Sequence, residues 1–228
     1  MGFNYETNEL LLVGKVLSVE EGYVFEDQVF YEVQVEVDRK SDTKDILPVI
    51  VPEKLMFRKE IKPGDNITLS GEIRMTNRAD NGFKNIYTYG FVKDYEIFDD
   101  KYWDVMDVRN YVKIEGTISK EPRHRQTTLT NRLITDLLVA NNRPNKKAFY
   151  IPCICWGFTA KMASRFCKGD KVMIEGRFQS RRYKKDPLRG KPNDYSIQEI
   201  SATDVKLIEE SKKFPRSNNE SKDQATVA

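Results

Sequence analysis

A chain of 228 residues, 39% hydrophobic and 32% charged, has room for one large domain or two small ones. A mean hydropathy of −0.62 and the absence of any apolar run of about 18 residues exclude a membrane-spanning helix, and residues 1–9 lack the basic start and apolar stretch of a secretory signal. The odd set Cys153, Cys155 and Cys167 is no disulfide framework and fits a cytoplasmic protein, while a single histidine, His124, excludes chemistry that needs two.

Residues 10–17 read as a strand bent near Gly14, a device that closes small barrels. Residues 31–37 alternate, with Tyr31, Val33, Val35 and Val37 on one side and Glu32, Gln34 and Glu36 on the other, the pattern of a half-buried strand. Residues 46–51 form a third strand and residues 53–61 a short helix. Pro63-Gly64-Asp65 then turns into a fourth strand at 66–75, and a polar hairpin leads to a fifth at 86–98. Residues 100–108 read as a solvated linker, acidic through Asp99, Asp100, Asp104 and Asp107 and anchored by Tyr102, Trp103 and Met106. The same order then returns: strands at 111–119, 133–140 and 149–156, and a helix at 158–167 with Met162, Ala163 and Phe166 at helical spacing. Lys168-Gly169-Asp170 turns into a strand at 171–180, and a long polar hairpin leads to a last strand at 195–208. Residues 211–228 are polar, with Phe214 their one aromatic, and read as a disordered tail.

The halves align at an offset of about 104 residues, most clearly 62–73 (KPGDNITLSGEI) against 167–178 (CKGDKVMIEGRF), which marks a duplicated domain rather than a solenoid. Three strands, a helix and two strands in about 100 residues is the order of the five-stranded, partly open OB barrel. The expected fold is therefore mostly all-β: two tandem OB-folds, residues 8–99 and 109–210, each with its helix between strands three and four. Their charges differ. Residues 8–99 hold 12 Lys and Arg against 18 Asp and Glu, net −6, and residues 108–208 hold 21 against 9, net +12. Such asymmetry expects a polyanion on the second half.

Residues 110–116 (NYVKIEG), 120–123 (KEPR), 149–160 (FYIPCICWGFTA) and 168–183 (KGDKVMIEGRFQSRRY) resemble the bacterial single-stranded DNA-binding proteins. The resemblance covers residues 109–208 well and 8–99 more weakly, through the repeat. It implies a protein that coats single-stranded DNA without strong sequence preference in replication, recombination or repair. It also implies a homodimer that brings four barrels together. By the same resemblance Tyr150, Trp156 and Tyr183 stand where the family carries base-stacking aromatics.

The residues support that chemistry on their own. Sequence-independent binding of a single strand needs cations for the phosphates and aromatic faces for the bases. The loop after the first strand of the second half carries Arg123, His124, Arg125 and Arg132. The loop after the second carries Arg143, Lys146 and Lys147. Arg177, Arg181, Arg182, Lys184, Lys185, Arg189 and Lys191 surround Tyr183. Alternation places Tyr150, Pro152, Ile154 and Trp156 on one face of their strand and Ile151, Cys153 and Cys155 on the other. Phe178 reads as core.

The chain departs from the family in its tail, which is short and not acidic at its tip. It also departs in the first half, where Pro52 and Ile46 stand in place of Trp156 and Tyr150. The aromatics of that half (Tyr23, Phe25, Phe30, Tyr31, Phe83, Tyr87, Tyr89) could be core, an oligomer interface or a second DNA surface. An alternative is an adaptor whose acidic first domain binds a replication or recombination protein; another is an RNA-binding protein. A zinc site on Cys153, Cys155, Cys167 and His124 lacks the usual ligand spacing. No phosphate-cradling glycine loop or catalytic triad is present. No cofactor is expected and no enzyme.

Overall fold

The computed structural model describes residues 6–41, 43–80, 83–105, 108–128, 130–143, 147–184 and 194–212, with side chains described except at 78–80, 83–85, 104–105, 182–184 and 194–195. The first half contributes β1 (Asn8–Phe25), β2 (Gln28–Asp38), β3 (Lys44–Pro52), α1 (Glu53–Met56), β4 (Asn66–Asp80) and β5 (Phe83–Phe98). A 3-10 turn at Asp100–Val105 follows. The second half contributes β6 (Asn110–Ile118), β7 (Arg123–Gln126), β8 (Leu133–Asn142), β9 (Ala148–Trp156), α2 (Phe158–Ala163), β10 (Lys171–Lys184) and β11 (Asp194–Glu209). Neither helix is long and apolar enough to cross a membrane.

Each half closes into a five-stranded barrel. β1 pairs with β2, β2 with β3, β3 in parallel with β5, β5 with β4, and β4 again with β1. In the second half β6, β8, β9, β11 and β10 close in the same order, again with one parallel pair, β9–β11. This is the expected OB topology, with a helix after the third strand of each barrel. The bend in the first strand has a steric cause. A Cβ at Gly14 would lie 2.4 Å from the Glu36 carbonyl oxygen, and one at Gly116 2.6 Å from that of Ala140. Only glycine lets the strand pass so close as it crosses from one neighbour to the other.

The alternating positions fill the barrels. Val33, Val35 and Val37 are fully buried with Tyr31 packed beside them, and Ile151, Cys153, Cys155 and Phe178 are buried as expected. A single buried cluster runs through both barrels.

Four features differ from the expectation. β1 and β2 run past the barrel as a hairpin turned at Glu26-Asp27, both at positive φ (49° and 59°), a two-residue turn whose twist suits the flanking strands. The helices are shorter than expected, and the buried stripe beside the second is Ala160, Ala163 and Phe166, with Met162 half-buried. Arg123–Gln126 is not loop but a charged edge strand against β8, a composition that discourages further pairing. The linker is a 3-10 turn with Trp103 stacked on Phe98 (6.0 Å) and Arg109 over the Trp103 ring (4.9 Å).

The barrels are joined by β1 and β6, antiparallel from Asn8↔Ile114 to Leu12↔Asn110 and centred on Leu10↔Val112. The result is one sheet of eleven strands. Register relates the two halves by a local two-fold: Leu10 faces Gly71 in one barrel as Val112 faces Gly176 in the other. Ion pairs clamp both flanks of the join. On one side Arg143 meets Glu72 at 2.5 Å, and Glu72 also holds Arg74 and Lys93 (both 2.7 Å). On the other, Asp45 accepts from Arg177 (3.2 Å) and from the Ser180 backbone N–H (2.8 Å).

Candidate nucleic-acid interface

β9 ends at Trp156, and Gly157, at φ 56°, turns the chain into α2. The turn between β7 and β8 closes through mutual bonds of Thr127 and Arg132, which carries the Arg132 guanidinium over the Trp156 ring at 5.5 Å. Trp156 is half-buried, not core. Its neighbours across β10 and β11 are polar except Ala202. Arg132, Trp156, Arg177, Gln179 and Arg181 line a groove of about 490 Å³, and Arg39 reaches in from the first barrel.

The groove floor is one hydrogen-bonded chain. Arg39 and Arg177 both donate to Asp45, which is fully buried. Arg177 donates to Gln179 (2.9 Å), Gln179 to Glu199 (2.9 Å), and Arg181 pairs with Glu199 (3.1 Å). Among the described residues, Arg132 and these three arginines stand against two carboxylates, so the groove is cationic. Burial, and next the Arg39 cation, pull the pKa of Arg177 below its ordinary value against the pull of Asp45. Burial raises that of Glu199 against Arg181 and Gln179. Both shifts mark a partly desolvated site, where an anion would gain more than at open surface.

The sequence-derived residues divide. Trp156, Arg132, Arg177 and Arg181 come together in the groove. Tyr150, 44% exposed, shares the outward register of Trp156 but lies six residues away along β9, about 20 Å; Ile154 between them is buried. The two aromatics are therefore separate platforms. Arg125 is held by Asp136 at 3.0 Å on the edge strand, beside exposed Arg123. Arg143 is drawn to Glu72 and over the Phe149 ring (5.0 Å), with exposed Lys147 following it. Arg182, Tyr183 and Lys184 extend β10 opposite Ser196, Tyr195 and Asp194, but their side chains lie outside the described residues, as do Lys146 and Lys185. Arg39 was not anticipated. The repeat held the signal, since Arg39 stands at the offset of Arg143.

On the matching face of the first barrel Pro52 takes the place of Trp156, paired with Phe30 as Trp156 is with Ile134. Aromatics cover it instead. Phe30, Ile50 and Tyr89 form a satellite cluster with Tyr87 and Phe91. Tyr23 stacks on Phe30 at 4.8 Å, and Arg74 lies 3.4 Å from the Phe91 ring centroid. Phe83 has no described side chain. The cysteines of β9 are inert: burial lifts the Cys155 pKa to about 12 and that of Cys153 well above its ordinary value.

Residues 109–208 match the model of the single-strand binding protein family. No curated protein sequence matches the chain. Among solved structures, a deletion variant of the single-stranded DNA binding protein from Thermus aquaticus superimposes with a TM-score of 0.69 at 16% identity, covering 93% of this chain and 98% of that one. The wild-type Thermus aquaticus protein gives 0.69 at 14% identity, covering 89% and 93%. At such identities the likeness establishes the fold, and it extends over both barrels.

Proposed function

We propose that this protein binds single-stranded DNA without strong sequence preference and protects it during replication, recombination or repair. The observation that carries this reading is the groove in which Trp156, capped by Arg132, stands over a floor of Arg177 and Arg181. It pairs a π-face, worth about 1–3 kcal/mol per stacked base, with cations for the backbone. The match of residues 109–208 to the single-strand binding family supports it, since that segment contains every residue lining the groove except Arg39. In this reading Tyr150 and Tyr183 are further stacking platforms, and Arg123, Arg125, Arg143, Lys146, Lys147, Arg182, Lys184 and Lys185 contribute the surrounding field. Two chains associate to place four barrels on one strand. The two barrels are one duplicated domain; residues 213–228 of the expected tail lie outside the described residues.

The test is a titration with oligo-dT at several salt concentrations. Each phosphate contact to a single strand should contribute about −0.7 to the slope of log affinity against log salt. Three or four arginine contacts in the groove then give a slope of about −2 to −3. A salt-independent affinity would contradict the reading.

A further inference from the structure

The groove at Trp156 does not end at the second barrel. Arg39, Arg177 and Thr203 line it, and the same three residues line a larger cleft of about 870 Å³ at the join between the barrels. Lys40, from the loop after β2, Arg109, just before β6, and Tyr111, near the start of β6, also line that cleft. Among the described residues, the acidic groups that line or underlie the cleft are already engaged. Asp45 lies buried beneath Arg39 and Arg177, and Asp38 is paired with Arg109 at 2.9 Å and lies 3.8 Å from Lys44. Lys40 is exposed. The first barrel, net negative as a whole, therefore turns a cationic corner toward the second.

We infer that the cleft between the barrels is a phosphodiester-binding tract that continues the Trp156 groove, with Arg39 and Lys40 of the first barrel holding the backbone of the same strand. This rests on the reading of the groove as a single-strand site and adds the path by which the strand leaves it. Three observations support the occupant. The two clefts are continuous through shared residues. Among the described residues the cations at their junction exceed the carboxylates: Arg39 and Arg177 share one buried acid. Tyr111 on the cleft wall offers a ring beside the cations, the pairing that single-strand sites use. The acidic barrel is then not a bystander but completes the site, so strand length and not only affinity depends on it.

Two oligo-dT probes test this on the full chain, one of about 8 nucleotides, within the span of one barrel, and one of about 30, long enough to cross the join. Wild type should gain affinity with length beyond the statistical gain in registers. Lys40→Gln should lower the salt slope for the longer probe by about 0.7, and Arg39→Gln with Lys40→Gln by about 1.4. Lys40→Glu should abolish the gain with length. Lys40 is exposed, so the Lys40 variants fold whatever happens to Arg39. An unchanged slope and length gain in the Lys40 variants, while Trp156→Ala loses the shorter probe, would overturn the tract and leave the groove standing. Failure of wild type to bind either probe would overturn both.

Discussion

Asp45→Asn should cost this protein far more than a single surface-like aspartate would suggest. Asp45 sits at the start of β3 with 1% of its side chain exposed. It accepts from Arg39 Nε at 2.7 Å and Nη2 at 2.5 Å, from Arg177 Nη1 at 3.2 Å and from the Ser180 backbone N–H at 2.8 Å. The amide keeps the shape and one acceptor but removes the charge, leaving two guanidiniums facing each other across the join. Breaking a buried ion pair from one side costs about 3–5 kcal/mol. The retained carbonyl places this change near the lower end, about 3 kcal/mol, which in a chain of this size is a fall in Tm of about 6–12 °C. Thermal unfolding followed by circular dichroism reads it directly. Lys62→Ala is the contrast: its pair with Glu60 is largely exposed on both sides (66% and 72%), so less than about 1 kcal/mol is at stake. If Asp45→Asn melts within about 2 °C of wild type, the buried clamp contributes nothing and the account of the join is wrong.

Two further outcomes follow from the fold. Burial works against ionisation of Glu72, but hydrogen bonds from Lys93, Arg74 and Arg143 outweigh it and bring its pKa from 4.5 to about 2. A carboxylate depressed in the folded state stabilises above its unfolded pKa and loses that contribution as pH falls toward the folded value. The stability gap between wild type and Glu72→Gln, read from urea midpoints, should therefore be full above about pH 5 and close toward about pH 2; a gap independent of pH would contradict the assignment. Gly116→Ala would set a Cβ 2.6 Å from both the Ala140 carbonyl oxygen and Val139 Cγ1. Because the obstacle is partly backbone, a loss toward the upper end of about 1–3 kcal/mol is expected in denaturant titration, and a variant as stable as wild type would show that the strand does not cross so closely.

Much of the fold was legible because strand alternation is a local signal. The run from Tyr31 to Val37 and the inward set Ile151, Cys153 and Cys155 could be assigned from period alone, and the repeated Gly-Asp turn fixed the order of elements in each half. What escaped was set by long-range partners. Arg123–Gln126 has no apolar alternation; it is a strand only because β8 offers a ladder, with Asp136 for Arg125 and the Thr135 hydroxyl 3.1 Å from His124 Nδ1. The β1–β2 hairpin runs well beyond the strands expected at 10–17 and 31–37, and its Glu26-Asp27 turn lacks the glycine or asparagine that marks the usual tight turn. The candidate face was half visible. Composition located the cations and the family resemblance Trp156; composition did not show that Arg143 would be drawn to Glu72. Nor did it show that Arg39, from the acidic half, would enter the groove through an aspartate 132 residues from Arg177.

The central claim, that bases stack on Trp156 in a cationic groove, is tested most directly in a chain with one tryptophan. The sequence has two, Trp103 and Trp156; Trp103 stacks on Phe98 under Arg109, at the join and outside the groove. In Trp103→Phe, titration with oligo-dT should strongly quench the remaining emission, and rising salt should restore it. Adding Trp156→Ala to the wild-type background should weaken binding about 5- to 150-fold, the equivalent of about 1–3 kcal/mol of stacking. Binding that leaves the Trp156 emission unchanged, with an affinity indifferent to Trp156→Ala, would contradict the account.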